Sequence, residues 1–187
     1  MSSPLVWLIT GTLSGLGRDL ALEALKRGDK VIATGCARSI DKLADLKAAG
    51  ADILELDVTA PLEALHEVAK RAVAIHGSLN VLVNNAGYLI VGALEENTPD
   101  ETFAEYNTKV FRALNVTRAF LPYMRARRSG TMILMGLVGG WIASPYTGLY
   151  VSTNVCLDYG YFRTHILAPD YTEVSKESES FLQGAEY

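Results

Sequence analysis

The sequence predicts an α/β fold, a doubly wound parallel sheet with helices on both faces. Three observations carry that expectation. Short continuous apolar runs alternate with longer stretches whose apolar residues recur at helical spacing. A glycine-rich turn, residues 10–17, joins the first apolar run to the first helical stretch. The alternation stays regular to about Met135, without internal repeat, low-complexity segment or linker. At 187 residues the chain is expected to be a single domain, 1–187.

The elements follow in order. Residues 5–9, LVWLI, are a short apolar run ending in a turn and read as a buried strand. Residues 15–27 carry Leu16, Leu20, Ala21, Ala24 and Leu25 at helical spacing. KVIAT is the second strand. Residues 39–50 are expected to be a helix with Ser39 as N-cap and Gly50 at its C-terminal end. DILELDV is the third strand, and residues 61–77 form a helix with Pro61 near its start. NVLVNNAG is the fourth strand and its turn. Residues 98–128 are a long helix, in one piece or two, and TMILM is the fifth strand.

Hydrophobic residues make up 49% and charged residues 20%, enough apolar content to bury a core. The net charge of -4 argues against nucleic acid or an anionic membrane surface as partner, because both require a basic face. Cys36 and Cys156 have no metal-like spacing and fit a reducing, cytoplasmic location. His66, His76 and His165 are scattered, and no metal site is expected. The opening run lacks a basic region and is too short for a signal peptide. Residues 129–157 carry no charge, but five interruptions by Gly136, Gly139, Gly140, Pro145 and Gly148 make a membrane span the poorer reading. A buried strand leading into an apolar pocket loop is expected instead.

The turn TGTLSGLG has a strand before it and a helix after it, the context a phosphate-binding turn requires. Gly11 allows the tight turn, Gly15 lets backbone approach a pyrophosphate, and Gly17 permits close helix–strand packing. With Thr10, Ser14 and Leu16 they are the candidates for the phosphate side, where the helix N-terminus offers N–H groups and a positive dipole end. No acid follows the second strand to hold a ribose 2′-hydroxyl, whereas Arg38 stands close by. Arg38 favours NADP over NAD; the plain alternative is a loop arginine in water. Asp57 is a candidate for the adenine amino group. Asn84, Ala86 and Gly87, with Asn85, form a small turn that either contacts the adenosine ribose or fixes the sheet.

Thr10-Gly11-xxx-Gly15-x-Gly17, Asp57-Val58 and Asn84-Asn85-Ala86-Gly87, in that order and spacing, resemble the short-chain dehydrogenase/reductase family. LPYM and SGTMIL continue the likeness over roughly the first four-fifths of the chain. The resemblance implies a Rossmann-type domain, a nicotinamide cofactor, a small-molecule substrate and hydride transfer between a carbonyl and an alcohol. Members usually self-associate, so a homo-oligomer is implied as well.

The family uses a tyrosine as general acid/base, a lysine four residues later, a preceding serine and an asparagine on the long helix. Tyr150 matches the tyrosine. The lysine position holds Asn154, the serine position Leu137, and the asparagine position Lys109, beside Asn107. Leucine can neither donate nor accept a hydrogen bond, and Ser144 lies seven residues further along. A tyrosine with a pKa of ~10 is a poor base at neutral pH unless an ammonium lies near. Lysine and asparagine have changed places, so Lys109 is a candidate to supply that charge from the opposite side. The plain alternative is a solvated helix lysine.

Past Tyr150, YGYFRT resembles the family's Pro-Gly turn, with Tyr159 in place of proline, Gly160 retained and Thr164 at the nicotinamide contact. Two paths fit: residues 155–158 form a short sixth strand, or Tyr150 opens a helix and the sheet is truncated after the fifth strand. Residues 165–187 are expected to be a loosely held tail. Trp141, Ile142, Pro145, Tyr146 and Leu149 are expected to line the substrate pocket. Three functions fit the sequence: an NADP(H)-dependent oxidoreductase on a small apolar molecule, a non-redox enzyme reusing the pocket, and a cofactor-binding protein without turnover.

Overall fold

The computed structural model of the chain describes residues 3–136 and 145–161. Leu137, Trp141, Ile142, Ser144, Thr164 and the tail lie outside them. Five strands form one sheet: β1 (Val6–Ile9), β2 (Lys30–Gly35), β3 (Asp52–Glu55), β4 (Val81–Asn84) and β5 (Thr131–Leu134). All pair in parallel, in the order β3-β2-β1-β4-β5. Alternate residues of a strand face opposite sides. Leu8, Ile32, Leu54 and Leu82 therefore enter one core, and Ile9, Val31, Ala33, Val81 and Val83 the other. Both faces are covered, which is why the strands read as unbroken apolar runs.

Helices α3 (Leu62–His76) and α5 (Arg112–Arg127) cover the first face with Leu65, Ala69, Val116 and Phe120. Helices α1 (Gly15–Lys26) and α2 (Ala44–Ala48) cover the second with Ala21, Ala24 and Leu46. The fold is the doubly wound Rossmann type. The chain reverses its winding between β1 and β4, which opens a crevice at their C-terminal ends. Among the described residues no helix is long and apolar enough to cross a membrane.

One local expectation is corrected and two that the sequence left open are resolved. The segment after β2 begins as a 3₁₀ helix, Ala37–Leu43, before α2. Ser39 lies inside it and its hydroxyl donates back to the Cys36 carbonyl at 3.1 Å, so it caps nothing. The long helix is divided into α4 (Pro99–Tyr106), a π-helical turn (Asn107–Phe111) and α5. Thr98 and Glu101 close the start of α4 with a capping box, each side chain bonding the other's backbone N–H. Finally, α6 (Gly148–Tyr161) runs straight through residues 155–158, so no sixth strand forms there and Tyr159 and Gly160 are helical rather than in a turn. Within it the Thr153 and Asn154 side chains both donate to the Tyr150 carbonyl, at 2.7 and 2.8 Å. Among the described residues the sheet ends at β5.

Candidate functional site

The glycine-rich turn is tied to the end of β4 by side chains. The Thr10 hydroxyl donates to the Val83 carbonyl at 3.2 Å and accepts from the backbone N–H groups of Asn85 and Ala86, both at 2.9 Å. The Asn85 amide donates to the carbonyls of Thr10 and Gly11 at 2.9 and 3.0 Å. Two turns from opposite sides of the switch point are thus one unit. Gly11 has φ +70°, and a Cβ on it would come within 2.9 Å of the Ala86 Cα. A Cβ on Gly17 would lie 2.2 Å from the Asn85 amide nitrogen and 2.6 Å from the Gly11 carbonyl oxygen. Asn85, placed by the sequence in the turn that contacts the adenosine ribose or fixes the sheet, uses its amide nitrogen for the second role.

At the mouth of α1 the backbone is open. Ser14 is extended, its side chain makes no cap bond, and the first turn holds no acidic residue. Gly15 has φ +59°, and among the described residues beyond its own helix turn nothing lies within 4 Å of a Cβ built on it. Unclaimed N–H groups at a helix N-terminus with empty space before them fit an anionic diphosphate. Leu16 stands 68% exposed at this mouth.

A cavity of about 660 Å³ extends from this turn over the ends of β2 and β3, lined by Gly35, Cys36, Arg38, Asp57 and Val58 among others. The Asp57 carboxylate accepts from the Thr59 hydroxyl and N–H at 2.7 and 2.8 Å. The Thr59 hydroxyl first, then its N–H and the charges of Arg38 and Arg112, hold Asp57 below the usual carboxylate range, against burial. Asn84 is buried and donates its amide to Thr117 of α5 at 3.2 Å, so that amide nitrogen fixes the sheet.

A second cavity, about 340 Å³, shares Gly11, Ala86, Gly87 and Tyr88 with the first and holds Tyr150 and Lys109 in its wall. Leu89, Met135 and Leu157 supply apolar lining. Pro145, Tyr146 and Leu149 are not in that wall among the described residues, and Tyr146 is 65% exposed with φ +61°. The reading of Lys109 as a solvated helix lysine is corrected: it is 6% exposed. Its ammonium lies 3.6 Å from the centroid of the Tyr150 ring and donates to the Asn154 carbonyl oxygen at 3.0 Å. The π turn carries Lys109, and such turns shift side-chain direction at functional sites. Gly87 gives the stem room, since a Cβ there would sit 3.2 Å from the Lys109 Cγ. One turn earlier, Glu105 is fully buried, and among the described residues neither carboxyl oxygen makes a hydrogen bond of ordinary geometry. Burial pushes its pKa up; the nearby Ile90 N–H and the Lys109 charge act the other way. Tyr106 donates to Ser152 at 2.6 Å, clipping α4 to α6.

The sequence pattern described as short chain dehydrogenase matches residues 5–158. The chain belongs to that family. Short-chain dehydrogenases bind NAD(P). The chain is 33% identical over 155 residues to a 3-ketodihydrosphingosine reductase of Bacteroides thetaiotaomicron, covering 83% of this chain and 55% of that protein. A solved short-chain dehydrogenase from Streptomyces avermitilis superposes with TM-score 0.77 at 41% identity, covering 85% of this chain and 59% of that one. An actinorhodin polyketide ketoreductase variant solved with NADPH gives TM-score 0.76 at 25% identity, over 84% of this chain and 63% of its own. The chain spans about half the length of most curated relatives it matches, 55% for the Bacteroides reductase.

Proposed function

We propose that this chain binds NADP(H) and interconverts a carbonyl and an alcohol on a small, apolar molecule, with altered catalysis at Tyr150. The observation that carries the reading is the open, acid-free N-terminus of α1, joined through Asn85 to the turn that leads to the Tyr150 cavity. Thr10, Gly11, Ser14, Gly15, Leu16 and Gly17 would hold the diphosphate, Asp57, Val58 and Ala86 the adenosine, and Arg38 a 2′-phosphate. A nicotinamide held by these residues would supply the hydride chemistry at the substrate carbon.

Tyr150 then donates its phenolic proton to the carbonyl oxygen, or takes it back in the reverse direction. Negative charge grows on the phenolic oxygen as the proton leaves, and the Lys109 ammonium over the ring opposes that charge. The charge falls on the ring face, while Asn154, where the family has its lysine, is fully buried and bonded inside the fold. That difference supports impaired turnover, and it favours a cofactor-binding protein without turnover as the second reading. Self-association is proposed too, with exposed Phe103 and Phe111 as the aromatics a second copy would cover.

NADPH should raise the melting temperature by the amount its affinity dictates. NADPH oxidation over a panel of small apolar ketones should be lost in Tyr150→Phe while the melting shift persists. Absence of any shift at millimolar NADPH and NADH would overturn the binding claim. A shift without turnover on any carbonyl would select the second reading.

A further inference from the structure

We propose that Asn154 is a positioning residue, whose amide holds the Lys109 ammonium on the face of Tyr150, so that positions 109 and 154 act as one exchanged pair. The proposal deepens the reading of Tyr150 as proton donor and rests on it for its functional meaning. The geometry is specific. Asn154 is 0% exposed and Lys109 6%, so neither group has bulk water to fall back on. The Asn154 Nδ2 donates to the Tyr150 carbonyl at 2.8 Å. That bond fixes the amide orientation and leaves Oδ1 facing the π turn, where it accepts from Lys109 at 3.0 Å. A flipped amide would aim two donors at an ammonium, which has donors only. Residue 154 is thus tied to residue 150 through the backbone, and residue 109 to residue 150 through both the amide and the ring.

The chemistry explains why the acceptor is an amide. A buried ammonium needs an acceptor to offset lost hydration. A carboxylate would supply one and also cancel the positive field that Tyr150 feels. An amide carbonyl bonds the ammonium and leaves its charge intact. Gly87 backs the lysine stem from the other side, since a side chain there would crowd Cγ and Cδ. Putting lysine at 154 alone would set two ammonium groups against each other in a buried site. Putting asparagine at 109 alone would remove the cation. Only the joint exchange keeps one cation and one amide.

The test uses the full chain labelled with ¹³C at the lysine ε-carbons. A methylene next to an ammonium over an aromatic face is shielded by the ring current. The Lys109 ε-resonance is expected upfield of the other lysines in the native chain and in Tyr150→Phe, and back among them in Tyr150→Leu, which assigns it. Asn154→Asp keeps the acceptor and should keep the upfield shift. Asn154→Leu should lose it, and Asn154→Ser, too short to reach, serves where the leucine variant does not fold. A merely structural asparagine would leave that resonance in place in the folded variants, and this result overturns the proposal. In parallel, Asn154→Lys should lower the melting temperature by roughly 10 °C, and adding Lys109→Asn should recover most of it. Additive losses in that double exchange would overturn the pairing. Failure of NADPH to shift the native melt would count against the cofactor reading alone, because the lysine resonance needs no cofactor.

Discussion

Replacing Gly17 with alanine tests the cradle most directly, because two physical effects oppose each other there. Gly17 lies inside α1, where alanine normally stabilises a helix by about 1 kcal/mol over glycine. The added Cβ would lie 2.2 Å from the Asn85 amide nitrogen and 2.6 Å from the Gly11 carbonyl oxygen. The amide must leave, and it carries two hydrogen bonds at 2.9 and 3.0 Å, each worth about 1 kcal/mol net. The Gly11 carbonyl belongs to a turn and moves only with it, an overpacking cost of roughly 1–3 kcal/mol. The losses exceed the helical gain, leaving Gly17→Ala less stable by about 2–4 kcal/mol. At this chain length that is a fall in melting temperature of roughly 5–15 °C. The shift of α1 away from the turn should also weaken NADPH binding at least about tenfold, or 1.4 kcal/mol. Thermal melts with and without NADPH read both effects. A variant that melts at or above the native temperature and keeps its full NADPH shift would refute the packing argument.

Arg38→Ala should weaken NADPH about 10- to 100-fold, the loss of a charge-assisted bond, and leave NADH unchanged. Fluorescence titrations with both nucleotides check it, and equal losses would remove Arg38 from the 2′-phosphate. Glu105→Gln should alter the pH dependence of stability. Burial raises the folded pKa of Glu105, so its favourable contribution holds below the unfolded value near ~4.3 and fades as pH rises through the folded value. The melting temperature of the glutamine variant relative to the native chain should therefore be more favourable at pH 8 than at pH 4; a pH-independent difference would show that Glu105 titrates normally. Thr98→Ala removes half of the capping box and should cost about 1 kcal/mol without changing NADPH affinity, read in the same melts.

The sheet, its two covers and the phosphate turn were legible in the residues because each rests on local rules. Strands buried on both faces must be apolar throughout, and a helix over a tight turn must begin with glycine where the backbone bends or another chain segment touches. The expected N-cap at Ser39 failed because its hydroxyl found the Cys36 carbonyl in a 3₁₀ turn, a competition that spacing alone does not settle. The choice between strand and helix at residues 155–158 was open for a related reason. A short apolar run has no period of its own, and contacts of α6 with α4 and the π turn settled it. The partners of Asn85 were not legible, because the carbonyls of Thr10 and Gly11 lie 75 and 74 residues away in sequence.

What the sequence by itself determined was the parallel α/β architecture, the family, and the exchange of lysine and asparagine between positions 109 and 154. Those follow from residue type and spacing along the chain. What only the tertiary structure decided was the state of Lys109. Its burial, its place over Tyr150 and its bond to Asn154 depend on how the π turn and α6 pack together, and a lysine's long stem reaches water or core equally well until that packing removes one of the choices.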